Sequence, residues 1–516
     1  MRQTVSTKWF LFSEKDFSNG NNMPEKNLKN LMAGVESTDS MGDVNRQINH
    51  IAFDSRKVRR GGLFVAIPGE KFNGETFIRD ALDRGAVAII TQSPLDSLGS
   101  ISIDAEKVTV FCVGDSRKAL SKISANFFDQ PSEQLNLTGI TGTNGKTTLT
   151  YILEALSKAD GRQAGIIGTI DCHFGETIIP AEMTTPESLD LNQRIRQMAD
   201  EGVSDCFLEV SSHALAQKRV YDMSFETGIF TNLSRDHLDF HGDMERYKNA
   251  KAKLFRENRV KVPITNIDDP VGQEFAEEFN QNAVSTGIKS AADFCAEDIV
   301  LESKGSRFNL KTPDGSIEIR TNLLGEHNIY NLLSAAAAAS SQGISLDIIQ
   351  NVFQKIPIIP GRFETVGMGQ SFSVLVDYAH TEDALSKAII AAKTFTRGKV
   401  IVVFGCGGDR DRGKREKMGQ AALQNADFSV VTSDNPRTED PEQIINDIQK
   451  RFPSTGSYTA ITNRREAIEY ALNRAEENDL VLIAGKGHED YQIVGTKKEH
   501  FDDREVAREL LRKRVH

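Results

Sequence analysis

The chain has little of what marks several classes of protein. Its five cysteines, Cys112, Cys172, Cys206, Cys295 and Cys406, are scattered over 516 residues without a C-x-x-C pair. That pattern fits neither a disulfide scaffold nor a zinc site, so a reducing cytoplasm is the expected compartment. No apolar run approaches the roughly 18 residues of a membrane helix, and the early cluster Trp9 to Phe12 is too short for a signal-peptide core, so a soluble, unexported protein is expected. Basic excess is also missing: 62 Lys and Arg against 73 Asp and Glu leave a formal charge of −11. This removes the electrostatic footprint of a nucleic-acid binder while leaving room for a local cationic cleft around an anionic substrate. There is no internal repeat, and the run Ala335 to Ala339 continues a helical stretch, so it reads as tight helix packing.

What is present is an ordinary globular composition in a chain too long for one core, and roughly 150 residues per domain suggests three domains. Residues 1–22 are polar and irregular and read as a disordered extension. From residue 23 to 131, short apolar runs (Ile48 to Phe53, Leu63 to Ile67, Ala86 to Thr91, Val108 to Val113) alternate with helical ones, as in a small α/β domain. From 132 to 359 the runs Leu135 to Thr141, Ala164 to Gly168, Cys206 to Val210, Gly228 to Asn232 and Pro263 to Asn266 give the β-α-β rhythm of a mostly parallel sheet. After the hinge Ile356-Pro-Ile-Ile-Pro-Gly361, a third α/β domain (360–516) carries Ser373 to Val376, Val400 to Phe404, Phe428 to Thr432 and Leu480 to Ala484.

Gly142-Thr-Asn-Gly-Lys-Thr-Thr148 lies between a strand run and the amphipathic stretch Leu149 to Ser157, which is the setting of a phosphate-binding loop. Helix-start amides face an anion, glycines allow close approach, Lys146 supplies a point charge, and the Thr147 hydroxyl suits Mg²⁺. The match to G-x-x-x-x-G-K-[ST] is incomplete, since Ile140 stands at its first glycine. Polar clusters follow the other apolar runs: Glu209-Val-Ser-Ser-His213, Thr231 to Asp239, Asp377-Tyr-Ala-His380, Gly405 to Arg410, Ser433 to Arg437 and Gly485-Lys-Gly-His-Glu489. Ligands of open α/β sheets bind beyond the carboxyl ends of the strands, so these clusters are expected to converge. Singly each has a plainer reading: Glu209 as a cap or ion-pair partner, His237 in a polar loop, and Lys251, among three lysines in seven residues, as a solvated helix lysine. Arginines with Glu489 at one sheet edge suit a zwitterion, guanidinium on carboxylate and carboxylate on ammonium.

Taken together, Asp54-Ser-Arg56, Gly62-Leu-Phe-Val-Ala66, the loop Gly142 to Thr148, Thr184-Thr-Pro186, Glu209 to His213, Asp236-His-Leu-Asp239, Gly325-Glu-His-Asn328, Pro360-Gly-Arg-Phe-Glu364, Asp434-Asn-Pro-Arg437 and Gly485 to Glu489 resemble the Mur ligase family over residues 48 to 510. These are ATP-dependent enzymes that join amino acids to the UDP-muramoyl peptide precursor of bacterial cell wall.

The resemblance implies that Phe53, Ser55, Glu70, Lys71 and Phe72 hold the uridine nucleotide, and that Thr184, Thr185, Ser211, Gln217 and Arg219 hold the muramoyl peptide. ATP would meet Gly142, Thr143, Asn144, Gly145, Lys146, Thr147, Thr148, Asn328, Arg362 and Asp377. Mg²⁺ would meet Thr147, Glu209, His237 and Lys251, the lysine as a CO₂-derived carbamate; Lys146, Glu209, His237 and Lys251 form the implied catalytic set. Arg410, Asp434, Asn435, Pro436, Arg437, Gly485 and Glu489 would surround the amino acid. Asp434-Asn-Pro-Arg437 is the family's mark for meso-2,6-diaminopimelate in place of lysine, added to UDP-N-acetylmuramoyl-L-alanyl-D-glutamate. Small-molecule substrates and a monomer are implied, with no nucleic-acid or membrane partner. Met183 departs from the asparagine often preceding Thr-Thr, and Glu382 from the usual proline. A sister ligase using lysine or folate, and a nucleotide-gated binding protein, remain open.

Overall fold

The computed structural model describes residues 25–69, 73–100, 103–302 and 305–515. The expected extension at 1–22 and the turn Glu70 to Phe72 lie outside the described residues. The chain divides into two compact units, one of residues 1–130 with 188–193 and one of 131–187 with 194–516.

In the first unit the apolar runs become one five-stranded sheet in the order Ser37–Met41, Thr109–Val113, Ala86–Thr91, Gly62–Val65, His50–Ala52. The last four run parallel, with Leu63 opposite Ala88 and Ile90 opposite Phe111; Ser37–Met41 is an antiparallel edge. Gly62–Val65 and Thr109–Val113 are buried along their whole length, as strands covered on both faces must be. One face packs Leu63 and Val65 on Leu120 and Ile123 of the helix Ser116–Phe127, whose first turn is capped by Asp115.

The second unit holds two larger sheets. One has eleven strands, ordered Thr177–Pro180, Asp171–Phe174, Ala164–Ile167, Asp205–Glu209, Asn136–Thr141, Ser224–Phe230, Arg259–Asn266, Val284–Gly287, Phe294–Glu302, Gly305–Thr312, Gly315–Thr321. From Ala164–Ile167 to Phe294–Glu302 the neighbours are parallel, and antiparallel strands close both edges. Leu149, Ile152 and Leu156 of the helix Lys146–Ala159 share one core with Ile140, Phe207 and with Leu332, Ala335 and Ala339 of the helix Glu326–Ser341. All five alanines from 335 to 339 are buried, so the small side chains serve close helix packing as the sequence suggests.

The six-stranded sheet is ordered Glu364–Thr365, Ser373–Asp377, Leu480–Ala484, Val400–Phe404, Phe428–Val431, Tyr458–Ala460, parallel except for its first strand. Its central strands, Val400–Phe404 and Leu480–Ala484, are buried throughout. Among the described residues no helix is long and apolar enough to cross a membrane.

Candidate active site

The loop after Asn136–Thr141 turns into the helix Lys146–Ala159 through Gly145, whose φ of +93° is a left-handed conformation that glycine adopts without strain. A Cβ at Gly145 would strike Asn331 Oδ1, and one at Gly142 would strike Thr231 Oγ1. The loop is therefore wedged between two other elements. Asn232 fixes it from the next strand end: its carbonyl accepts from Thr143 N at 2.9 Å and its Oδ1 from Asn144 N at 3.0 Å. Asn331 donates to Asn328 Oδ1 at 3.0 Å, which brings the sequence-predicted Asn328 to the same loop.

At the helix start, where amides lack intrahelical acceptors, Lys146 Nζ folds back onto the carbonyls of Gly142 and Thr143 at 2.9 and 3.0 Å. Burial lowers its pKa, although the Glu209 carboxylate pulls the other way. Thr147 Oγ1 donates to Glu209 Oε2 at 3.0 Å, and Arg362 Nη2 reaches the same hydroxyl at 3.0 Å. Glu209 is 1% exposed and also accepts from Thr169 N at 2.9 Å and Thr169 Oγ1 at 3.0 Å. It is thus a buried carboxylate held by a strand-end turn, not a surface cap.

His237 begins the short helix Leu238–His241 at φ +53° and lies 3.3 Å from Asp236 and 4.9 Å, ring to ring, from His213. Desolvation, with His213 and Lys251 nearby, lowers its pKa despite the pull of Asp236, which favours the neutral imidazole, the form able to ligate. Lys251 overturns the expectation of a solvated lysine. It is 1% exposed, its Nζ sits 4.5 Å over the Tyr247 ring, and Tyr247 Oη lies 3.1 Å from Thr143 Oγ1. The helix Met244–Arg256 turns its apolar side inward, and Lys251 falls on that side with Tyr247, Ala250, Leu254 and Phe255. Burial, then the charge of Lys146, holds its ammonium well below the usual lysine range.

Beside Glu209, Thr185 Oγ1 donates to the Glu209 carbonyl at 2.7 Å and accepts from Ser211 N at 3.0 Å, while Thr184 Oγ1 is 3.2 Å from Thr169 Oγ1. Arg219 ties the group together through Thr185 O at 2.8 Å and Gln217 Oε1 at 2.6 Å. The departing Met183 presents its sulfur to Arg219 at 3.4 Å. Thr184, Thr185, Ser211, Gln217 and Arg219 are therefore one cluster. Phe53 and Ser55 belong to the other unit, where Phe53 packs on the Leu28 core and Ser55 Oγ donates to Asp80 at 2.8 Å.

Arg362 also lies 4.6 Å over the Tyr378 ring. Asp377 orders its turn by accepting from Phe363 N and Ala379 N, each at 2.9 Å, and burial raises the Asp377 pKa. Asn144 Nδ2 donates to Asp383 at 3.1 Å, at the start of the helix Glu382–Phe395. Thr381 caps that helix, so it starts at Glu382 without a proline.

At the ends of Phe428–Val431 and Leu480–Ala484, Asn435 Nδ2 donates to Glu489 Oε2 at 2.9 Å, and Lys486 Nζ reaches Asn435 Oδ1 and Glu489 Oε2 at 3.2 Å. Arg437, at φ +53°, donates to Gly408 O at 2.9 Å, and burial plus the charge of Arg410 depress its pKa. Burial and the Asp434 carboxylate raise the Glu489 pKa, while for Asp434 the cations Lys486 and Arg464 outweigh burial and lower it. Gly485 packs at Asp434, and Pro436 O lies against Gly408. Two guanidinium groups of like charge beside an acidic pocket are the charge pattern that a zwitterion with an added carboxylate would satisfy.

Sequence reasoning missed Thr169, Asn331 and Arg464, and gave no role to Asn232 and Lys486 within the polar clusters that contain them. Thr169 carried a usable signal, since it too follows a parallel strand. Arg464 carried none, because a residue after an Asn N-cap reads as a solvated helix start. Among the described residues no three His, Cys, Asp or Glu side chains converge as a metal cage.

Family models for the Mur ligase middle domain, the Mur ligase glutamate ligase domain and the Mur ligase family catalytic domain match residues 140–339, 361–487 and 47–128. The chain is 45% identical over 478 residues to the UDP-N-acetylmuramoyl-L-alanyl-D-glutamate–2,6-diaminopimelate ligase of Geobacillus thermodenitrificans, covering 91% of this chain and 96% of the relative. It is 41% identical to the ligase of the same name from Listeria monocytogenes serotype 4b, over 95% and 99%. A solved structure of a ligase so named superposes with a TM-score of 0.69 at 33% identity, covering 96% of this chain and all of that one. A folylpolyglutamate synthase of Mycobacterium tuberculosis shares the fold at TM-score 0.58 and 19% identity, over 72% and 92%.

Proposed function

Because the chain belongs to the Mur ligase family, we propose that it uses ATP to add meso-2,6-diaminopimelate to UDP-N-acetylmuramoyl-L-alanyl-D-glutamate, a step of peptidoglycan precursor synthesis. The observation that carries this reading is the meeting on Thr147 Oγ1 of Glu209 from one sheet and Arg362 from beside the other. It supports one reaction site served by a middle domain (132–359) and a C-terminal domain (360–516); the uridine-binding role of residues 23–131 rests on the family membership alone.

Thr147 hydroxyl and Glu209 carboxylate are hard oxygen donors that fit Mg²⁺, which is held by one or two carboxylates plus phosphate oxygens and so needs no protein cage. His237 and a carbamate on Lys251 would complete the set. A neutral buried amine is the form that adds CO₂, and the carbamate replaces a disfavoured buried cation by an oxygen ligand. Bound Mg²⁺ would neutralise charge on the transferring phosphate.

The D-glutamate carboxylate, positioned by the cluster around Thr185 and Arg219, attacks the γ-phosphorus while Lys146 and Arg362 neutralise the phosphate oxygens. The products are an acyl phosphate and ADP. The diaminopimelate amine, oriented by Glu489 on an ammonium and Arg437 on a carboxylate, then attacks the acyl carbon; phosphate leaves and the nitrogen loses its proton. Site closure excludes water from the acyl phosphate. Diaminopimelate has a carboxylate that lysine lacks, so lysine would leave a desolvated guanidinium unpaired.

The test is ADP release with purified UDP-muramoyl-dipeptide and each candidate diamino acid. ADP is expected only with both substrates and with diaminopimelate preferred over lysine. Lys146→Ala is expected to abolish release while leaving the circular dichroism spectrum unchanged; substrate-dependent ADP from that variant would refute the loop's role.

A further inference from the structure

Arg464 opens the helix Arg464–Arg474 and is 2% exposed. Its guanidinium pairs with Asp503, the first residue of the helix Asp503–Val515 and 0% exposed, through Nε at 2.8 Å and Nη2 at 2.7 Å. The remaining donors point at backbone. Nη2 donates to Ala484 O at 3.0 Å and Nη1 to Ser433 O at 3.4 Å. Ala484 ends one strand immediately before Gly485-Lys-Gly-His-Glu489, and Ser433 follows another immediately before Asp434-Asn-Pro-Arg437. The strands Phe428–Val431 and Leu480–Ala484 are not neighbours in the sheet, because Val400–Phe404 lies between them. No ladder hydrogen bond can therefore fix one strand end against the other.

We propose that Arg464, held by Asp503, is a positioning residue for the amino-acid subsite, fixing the spacing between the turn that carries Asn435 and Arg437 and the turn that carries Lys486 and Glu489. The chemistry supports it. A planar guanidinium presents donors in a rigid fork, so it sets the distance between two carbonyls as a flexible ammonium cannot. The two turns meet in the Asn435–Glu489 and Lys486–Asn435 hydrogen bonds, whose geometry depends on that spacing. A zwitterion gripped at opposite ends by Arg437 and Glu489 is sensitive to the same distance, and a shift of about 1 Å in such a site changes rates by about a hundredfold.

The inference rests on assigning this subsite to diaminopimelate, so the experiment separates the two. Diaminopimelate-dependent ADP release by the unsubstituted chain tests the assignment; its absence overturns that reading. The positioning role is tested in the double variant R464M/D503L, which removes both buried charges at similar volume and so avoids stranding one of them. The expected result is a KM for diaminopimelate raised about tenfold or more, with the KM values for ATP and for UDP-muramoyl-dipeptide within about twofold. A purely structural pair would instead lower the active fraction, and hence kcat, and leave every KM in place; that outcome overturns the proposal. If the double variant does not fold, D503N is read in the same assay, where a smaller selective rise in the diaminopimelate KM is expected and an unmoved KM overturns the proposal.

Discussion

At the scale of single residues, burial decides what the site's charged groups can do. Lys251 shows this best. In sequence it is one of several lysines on a polar helix; in the fold it lies under Tyr247 with its charge opposed by burial and by Lys146. Lys251→Met should keep or raise the melting temperature, since burial disfavours the lysine's charged form and Met has no polar group to desolvate. The same variant should lose about a hundredfold or more in kcat if the residue serves the phosphate site. A variant that unfolds while the refolded fraction turns over normally would mark the lysine as structural.

Arg437 makes the complementary case for specificity. Its fork is aimed by a φ of +53° and by backbone pairing with Ile493 and Gly495. Arg437→Lys keeps the charge and loses the fork. Competition between diaminopimelate and lysine for phosphate release should then show the preference for diaminopimelate falling by about tenfold or more. An unchanged ratio would place selectivity elsewhere. Arg437 was legible because its cluster follows an apolar run, whereas Lys251 was singled out by the family resemblance alone; the surroundings of both were hidden, and Lys486 and Arg464 act through partners that only the fold brings near.

At the scale of elements, most of the inner parallel strands were readable, while Val284–Gly287, Tyr458–Ala460 and the antiparallel edges were not. A strand covered on both faces is a continuous apolar run, as in Asp205–Glu209 and Leu480–Ala484, and such runs were found. Phe294–Glu302, parallel to one neighbour and antiparallel to the other, and Gly305–Thr312 and Gly315–Thr321 mix buried with exposed residues and present no such run, so they went unread. The hairpin Asp171–Pro180 was hidden likewise.

That hairpin contains a charge clamp. His173 lies 2.6 Å from Asp171 and 2.9 Å from Glu154 of the helix Lys146–Ala159, and Asp171 O accepts from Gly168 N, one residue before Thr169. Burial opposes the imidazolium, but the hydrogen bonds that its ring N–H groups donate to Asp171 and Glu154 outweigh it and push the pKa up to about 9 from 6.5. A raised folded-state value means that the stabilisation is fully present below pH 6.5 and is lost as pH climbs through about 9. His173→Gln should therefore be less stable by roughly 2 kcal/mol near pH 6, with the gap closing above about pH 10, in urea titrations at fixed ionic strength. A gap independent of pH would mean that the ring is neutral in the fold.

At the scale of the whole molecule, the order of α/β segments could be read from the chain, but the contacts that join the two larger sheets could not. Arg362 with Thr147 and Asn144 with Asp383 unite residues 215 and 239 positions apart, and nothing local announces such pairs. Arg235 with Asp411 at 3.8 Å and His380 with Asp236 at 3.9 Å add to the same seam. These contacts help make residues 131–187 and 194–516 one unit, while residues 1–130 with 188–193 form another.

The division has a thermodynamic consequence. The residues proposed for the ATP site, the loop Gly142 to Thr148 with Glu209, Asn328 and Arg362, lie in the larger unit, so ATP with Mg²⁺ is expected to stabilise that unit's folded state. In scanning calorimetry the chain should show two transitions. ATP at about a hundred times its Kd should raise the larger by the equivalent of about 2.7 kcal/mol and leave the smaller in place. A uridine nucleotide should do the reverse, through the smaller unit that carries Phe53 and Ser55. A single transition that both ligands shift equally would show that the two units unfold together, and Lys146→Ala, which removes the ATP shift alone, identifies the site responsible in either case.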